Sequence, residues 1–124
     1  MSAKSVQPVE IRLEKKARLL RISFDDGVEF ALSCELLRVY SPSAEVRGHS
    51  PGQERLEINK ENVNIDQIVP MGTYAVALHF DDGHDSGIFT WDYLYELGAN
   101  QASRWQDYLD RLQETGHQHR ALDN

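Results

Sequence analysis

The chain has 124 residues, with 13 Lys or Arg against 20 Asp or Glu and a formal net charge of −7. That length fits one domain with a single modest core, and an acidic surface repels phosphate backbones and anionic membranes, so neither nucleic acid nor membrane is expected as a partner. No apolar run can span a bilayer, the N-terminal "MSAKSVQPVE" lacks the apolar centre of a signal peptide, and the lone Cys34 excludes an internal disulfide, so a cytoplasmic location is expected.

Residues 1–7 read as a flexible lead-in. Val9, Ile11 and Leu13 alternate with Glu10 and Arg12, the pattern of a half-buried strand. After a turn at "EKK", Leu20, Ile22 and Phe24 alternate, and beyond "DDG" so do Val28, Phe30 and Leu32. A two-residue loop would pair Phe24 with Glu29, putting an apolar side chain and a charge on one face. A three-residue loop pairs Phe24 with Val28, Ile22 with Phe30 and Leu20 with Leu32, so every apolar residue shares a face. Gly27 then supplies the left-handed residue that such a loop needs.

The tetrapeptide "FDDG" returns at 80–83. The same loop pairs Phe80 with His84, Leu78 with Ser86 and Val76 with Ile88. It turns His84 toward the apolar face and His79 away. Each hairpin runs into a helix signal, Ser33 capping "CELLR" and Thr90 capping "WDYLYEL", with Gly98 as a left-handed stop. An ancient duplication and two independent choices of a favoured turn both account for the repeat.

Between the copies, "SPSAEVRGHSPGQE" is a loop by composition, long enough to suggest function. "RLEI", "NVNI" and "QIVPMG" read as short extended pieces, with Pro70 and Gly72 breaking regularity. Trp105, Tyr108, Leu109 and Leu112 mark an amphipathic helix from about residue 100 to 113, and residues 114–124 read as a flexible tail. The class is α+β, a small two-layer domain of β-hairpins packed with short C-terminal helices.

The paired aspartates read as solvated turn formers rather than acid/base pairs or metal ligands. Cys34 reads as a small core residue rather than a nucleophile, and Trp91, Tyr93 and Tyr95 as core packing before ligand stacking. His117 and His119 read as part of a solvated tail. His84 is the residue with the strongest claim to a special role, and His49 in the long loop could approach it.

Three separated blocks, "LRVYSPSAEVRGH", "NVNIDQIVPMGTYAVALHF" and "FDDGHDSGIFTWDYLYELG", resemble in order those of the gamma-butyrobetaine hydroxylase-like N-terminal domain family, over about residues 8–113. The resemblance implies a small α+β domain that in the full-length hydroxylases precedes an iron(II) and 2-oxoglutarate dioxygenase domain, whose iron ligands lie outside this region. It also implies a zinc held by three cysteines and a histidine, in a stretch reading Leu-Arg-x-x-Cys-Pro-Cys-x-x-Cys. Here Leu37, Arg38 and Pro42 match; the cysteine positions fall on Ser41, Ser43 and Val46, and the histidine on His84. Serine is a poor zinc ligand and valine is none.

Similar domains are bacterial or are fused to scaffold ATPases carrying iron–sulfur clusters. The resemblance therefore implies a non-catalytic accessory or protein-interaction domain in the company of metalloproteins, with an unidentified protein partner. Within the 41–54 loop and just beyond it, Arg47, His49 and Arg55 are the expected docking residues. No cofactor is expected. The alternatives are a domain binding zinc or iron through His84, and the non-catalytic half of a split oxygenase.

Overall fold

The computed structural model describes residues 6–42 and 59–116. Two three-stranded antiparallel sheets and three helices make up the described chain, an α+β arrangement. Strands β1 (Pro8–Glu14), β2 (Leu19–Phe24) and β3 (Glu29–Ser33) form one sheet in the order β1-β2-β3, followed by helix α1 (Cys34–Val39). Strands β4 (Ile65–Met71), β5 (Ala75–Phe80) and β6 (Ile88–Thr90) form the other in the order β4-β5-β6, followed by α2 (Trp91–Ala99) and α3 (Gln101–Glu114). The short strand expected at "RLEI" lies outside the described residues.

The alternation in β2 and β5 sends Leu20, Ile22, Phe24, Val76, Leu78 and Phe80 into one core with Leu32, Ile65, Phe89, Leu94 and Leu97. Leu36 and Leu37 of α1 join it. Removing such side chains from water drives the sheets and helices together. A smaller cluster of Val39, Tyr108 and Leu112 seats α3 on α1.

The two halves repeat more deeply than the tetrapeptide. In each FDDG turn the Phe N–H donates to the carbonyl of the residue after the glycine (Val28 at 2.8 Å, His84 at 2.9 Å). In each, the glycine has positive φ, +87° at Gly27 and +92° at Gly83, and a three-residue loop results. The second aspartate accepts from the backbone N–H two residues on, Asp26 from Val28 and Asp82 from His84. The first aspartate exchanges two bonds with the residue before the opening strand, Asp25 with Gln7 and Asp81 with Asn64. Both opening strands shift register in their third residue's neighbourhood, between Pro8 and Glu10 and between Ile65 and Gln67. Ser33 and Thr90 each accept from the N–H three residues on, Leu36 and Tyr93, and so cap α1 and α2 as the sequence indicates.

The first hairpin keeps the expected register, Leu20 opposite Leu32 and Ile22 opposite Phe30. The second departs from it. Val76 pairs with Phe89, not Ile88, and Ala77 pairs with Ile88. The stretch from Gly83 to the cap is one residue longer than its counterpart, and a one-residue slip exchanges the faces of a strand. Phe89 is thereby fully buried while Ile88 is 40% exposed, a gain of about 1.5–3 kcal/mol for the aromatic side chain. Gly98 also differs from expectation: it lies inside α2, not at its end. A Cβ there would stand 2.4 Å from the Phe30 ring, so the glycine is needed for close helix–strand approach. Pro70 does not interrupt β4, because β4 is a sheet edge and Pro70 is exposed on it.

Candidate polar corner at His84

His84 stands at the mouth of the hairpin, opposite Phe80 as Val28 stands opposite Phe24, before the slip and before β6 begins. Its side chain is buried, as the alternation indicates, with the residue only 7% exposed. Its Nε2 lies 2.9 Å from Oγ of Ser41, which is 1% exposed and follows α1 by two residues. Ser41 is pressed from the other side by Gly87, where a Cβ would fall 2.2 Å from the serine oxygen. The Phe80 ring flanks the imidazole at a centroid distance of 6.1 Å.

Beside this pair stands an ionic cluster. Arg38, on the buried helix α1, donates from Nε to Asp82 Oδ2 at 2.9 Å, and Lys60 Nζ donates to the same oxygen at 2.6 Å. The Arg38 side chain is 8% exposed, Lys60 19% and Asp82 22%. Burial works to raise the Asp82 carboxyl. The Lys60 and His84 N–H bonds and the Arg38 guanidinium outweigh it and hold the carboxyl below its ordinary value. The sequence reading takes Asp82 for a solvated turn former and gives Arg38 no partner. Only the 44-residue separation closed by the fold reveals them as partners.

The halves answer one another here as well. Arg38 follows Ser33 by the same interval as Tyr95 follows Thr90, and Tyr95 donates its hydroxyl to Asp26 Oδ2 at 2.8 Å. Each helix thus reaches the second aspartate of the opposite turn. By the same count Ser41 answers Gly98, and Gly87 answers Phe30. One corner is a phenyl ring on a glycine; its counterpart is a glycine on a serine that bonds His84. At this corner the two halves differ in chemistry, apolar in one and polar in the other.

Of the residues singled out from the sequence, Ser41 and His84 are brought together. Ser43, Val46, Arg47, His49 and Arg55 lie outside the described residues. A zinc site of the implied kind needs four strong donors. The set Ser41, Ser43, Val46 and His84 has one, and Ser41 is confined by Gly87 and engaged with His84, so these residues do not fit zinc. Among the described residues no group of three or more His, Cys, Asp or Glu is placed to hold a metal ion. Cys34 is fully buried and its Sγ donates to Asn64 Oδ1 at 3.6 Å; burial pushes its thiol up to about 11, the state of a core residue and not of a nucleophile. Another buried carboxylate escaped the sequence reading: Glu35 of α1 accepts from the Tyr108 hydroxyl at 2.7 Å, and burial with that bond raises the phenol. No described helix is long and apolar enough to cross a membrane.

Comparison with known proteins agrees with this architecture. The family model described as gamma-butyrobetaine hydroxylase-like, N-terminal, matches residues 11–95. A protein structure determined by NMR in solution is 49% identical, with a TM-score of 0.82, covering 100% of this chain and 95% of that one. A second solution structure is 41% identical with a TM-score of 0.81, covering 98% and 95%. The crystal structure of a protein of unknown function from Acidithiobacillus ferrooxidans, placed in the DUF971 family, is 42% identical with a TM-score of 0.64, covering 75% and 93%. No curated protein matches the chain at a significant level.

Proposed function

We propose that this chain, which belongs to the gamma-butyrobetaine hydroxylase-like N-terminal family, acts as a non-catalytic accessory domain that binds a protein partner. The observation that carries the reading is that the polar corner spends its bonds inside the fold. Ser41 engages His84, Asp82 engages Arg38, Lys60 and the His84 N–H, and Ser41, His84 and Arg38 are each more than nine-tenths buried. Such a cluster orients chain segments; a nucleophile or general base needs a face open to substrate. What it orients is the chain leaving α1 at Ser41; the docking residues of this proposal, Arg47, His49 and Arg55, follow it in the sequence. A segment of this length whose composition reads as a polar loop is where binding residues concentrate.

The test is affinity capture by the tagged full chain, with Arg47→Glu and Arg55→Glu introduced together. Loss of a specific captured protein at an unchanged melting temperature is the expected result. Retention of that protein by the double variant, or iron-dependent conversion of 2-oxoglutarate to succinate by the pure chain, would overturn the reading.

A further inference from the structure

The N-terminal turn of α2 borders a cleft of about 260 Å³ lined by Val6, Gln7, Tyr74, Thr90, Trp91 and Asp92. Its aromatic walls are fixed in place. The Trp91 indole N–H donates to the Thr73 carbonyl at 2.8 Å, and the Trp91 backbone N–H to the Tyr74 carbonyl at 3.2 Å, so the β4–β5 turn is tied to the helix start. The Tyr74 ring lies over Gly72, where a Cβ would approach it to 3.2 Å, yet Tyr74 remains 56% exposed. Asp92 is exposed, and among the described residues no ion pair or hydrogen bond engages its carboxylate. A second hollow on the other side of Asp92 runs along α2 past Tyr95 and Glu96 to Asn100. Among the described residues neither hollow is lined by a lysine or arginine.

The first half of the fold carries a counterpart of this carboxylate. Asp92 answers Glu35, each standing two places after its cap. In the first half that carboxylate is covered by α3 and receives the Tyr108 hydroxyl at 2.7 Å. In the second half the corresponding face of α2 carries Asp92 and Glu96, and among the described residues none bonds Asp92. One basic group already uses this face from its edge: Arg104 of α3 donates to Glu96 at 2.5 Å. We propose that the Asp92 cleft is the seat of a lysine or arginine side chain presented by a partner protein, its cationic head on the Asp92 carboxylate and its aliphatic stem against Tyr74 and Trp91. Aromatic faces attract such cations, the stem gains apolar contact, and the carboxylate fixes the sign of the charge. This rests on the partner-binding reading above, but places a second contact away from Arg47 and Arg55.

The test is a titration of the nitrogen-15-labelled full chain with acetyl-Gly-Lys-Gly-amide, followed by NMR, with the norleucine analogue as control. It requires no partner, so its failure is separate from failure of the capture experiment. Saturable shifts of the Trp91 indole and Asp92 amide signals are expected with lysine and not with norleucine. Asp92→Asn should weaken binding at least fivefold, and Tyr74→Ala at least twofold, without loss of the native spectrum. Equal shifts with norleucine, or lysine affinity unchanged in Asp92→Asn, would overturn the proposal. Lys4→Ala serves as the competing arm: unchanged affinity is expected, and a tenfold gain would instead make the chain's own lead-in the occupant.

Discussion

Arg38 and Tyr95 hold one position in the two halves of the fold, each bonding the second aspartate of the opposite hairpin turn. Their environments differ. The Arg38 guanidinium is enclosed and charged, whereas Tyr95 meets Asp26 at the surface as a neutral donor. Removing one member of an enclosed ion pair leaves the other desolvated. Asp82→Ala should therefore cost about 3 kcal/mol in urea unfolding, and Asp26→Ala much less. Equal losses at the two turns would refute this account of the enclosed pair.

Asp82 also gives a pH dependence with a defined sign. Its carboxyl is held below the ordinary value of 3.8, so the unfolded chain takes up this proton first as acid is added. The stabilisation is complete above 3.8 and declines as pH falls from there through the lower folded value. The stability difference between the wild type and Asp82→Asn should shrink on acidification below about pH 4, measured as urea midpoints. A difference that stays constant from pH 6 to pH 2 would contradict the assignment.

The two glycines at the crossed corners should resist any side chain. Gly98→Ala places a methyl 2.4 Å from the Phe30 ring, and Gly87→Ala places one 2.2 Å from Ser41 Oγ. Each should cost about 1–3 kcal/mol. Phe30→Leu should offset part of the loss in the first, and Ser41→Gly part of the loss in the second. Double-mutant cycles read the coupling.

Gly27 and Gly83 resist substitution for a different reason. A Cβ at either would meet nothing within 4 Å, but both have φ near +90°. Valine at either position should cost about 1 kcal/mol or more through backbone strain. An unchanged melting temperature would contradict the turn geometry.

Cys34 should be silent in the native protein. With its thiol fully buried and raised to about 11, reaction with a disulfide reagent at pH 8 should await unfolding. Labelling in native buffer at the rate seen in urea would show the helix start to be open.

Much of this fold was legible in the sequence because short-range rules govern it. The turn at Gly27, the caps at Ser33 and Thr90, and the inward face of His84 all follow from alternation and local hydrogen bonding. The register beyond His84 was not legible, since Ile88 and Phe89 are both apolar and only the core decides which enters it. Gly98 carries no sign of its neighbour Phe30. Arg38 and Glu35 belong to a helix buried along its whole length, and their charges are matched by residues that only the tertiary fold brings near. The candidate docking residues Arg47, His49 and Arg55 belong to a composition that signals a loop and no geometry.

The crossing of each helix onto the opposite turn makes the molecule resemble a domain-swapped pair carried on one chain. Neither half keeps its own turn closed from outside: Tyr95 serves the first half's aspartate and Arg38 the second's. The two halves also share one core, with Leu20, Ile22 and Phe24 packed among Leu78, Phe80 and Phe89, so opening one exposes apolar surface of the other. The domain should thus unfold in one cooperative transition.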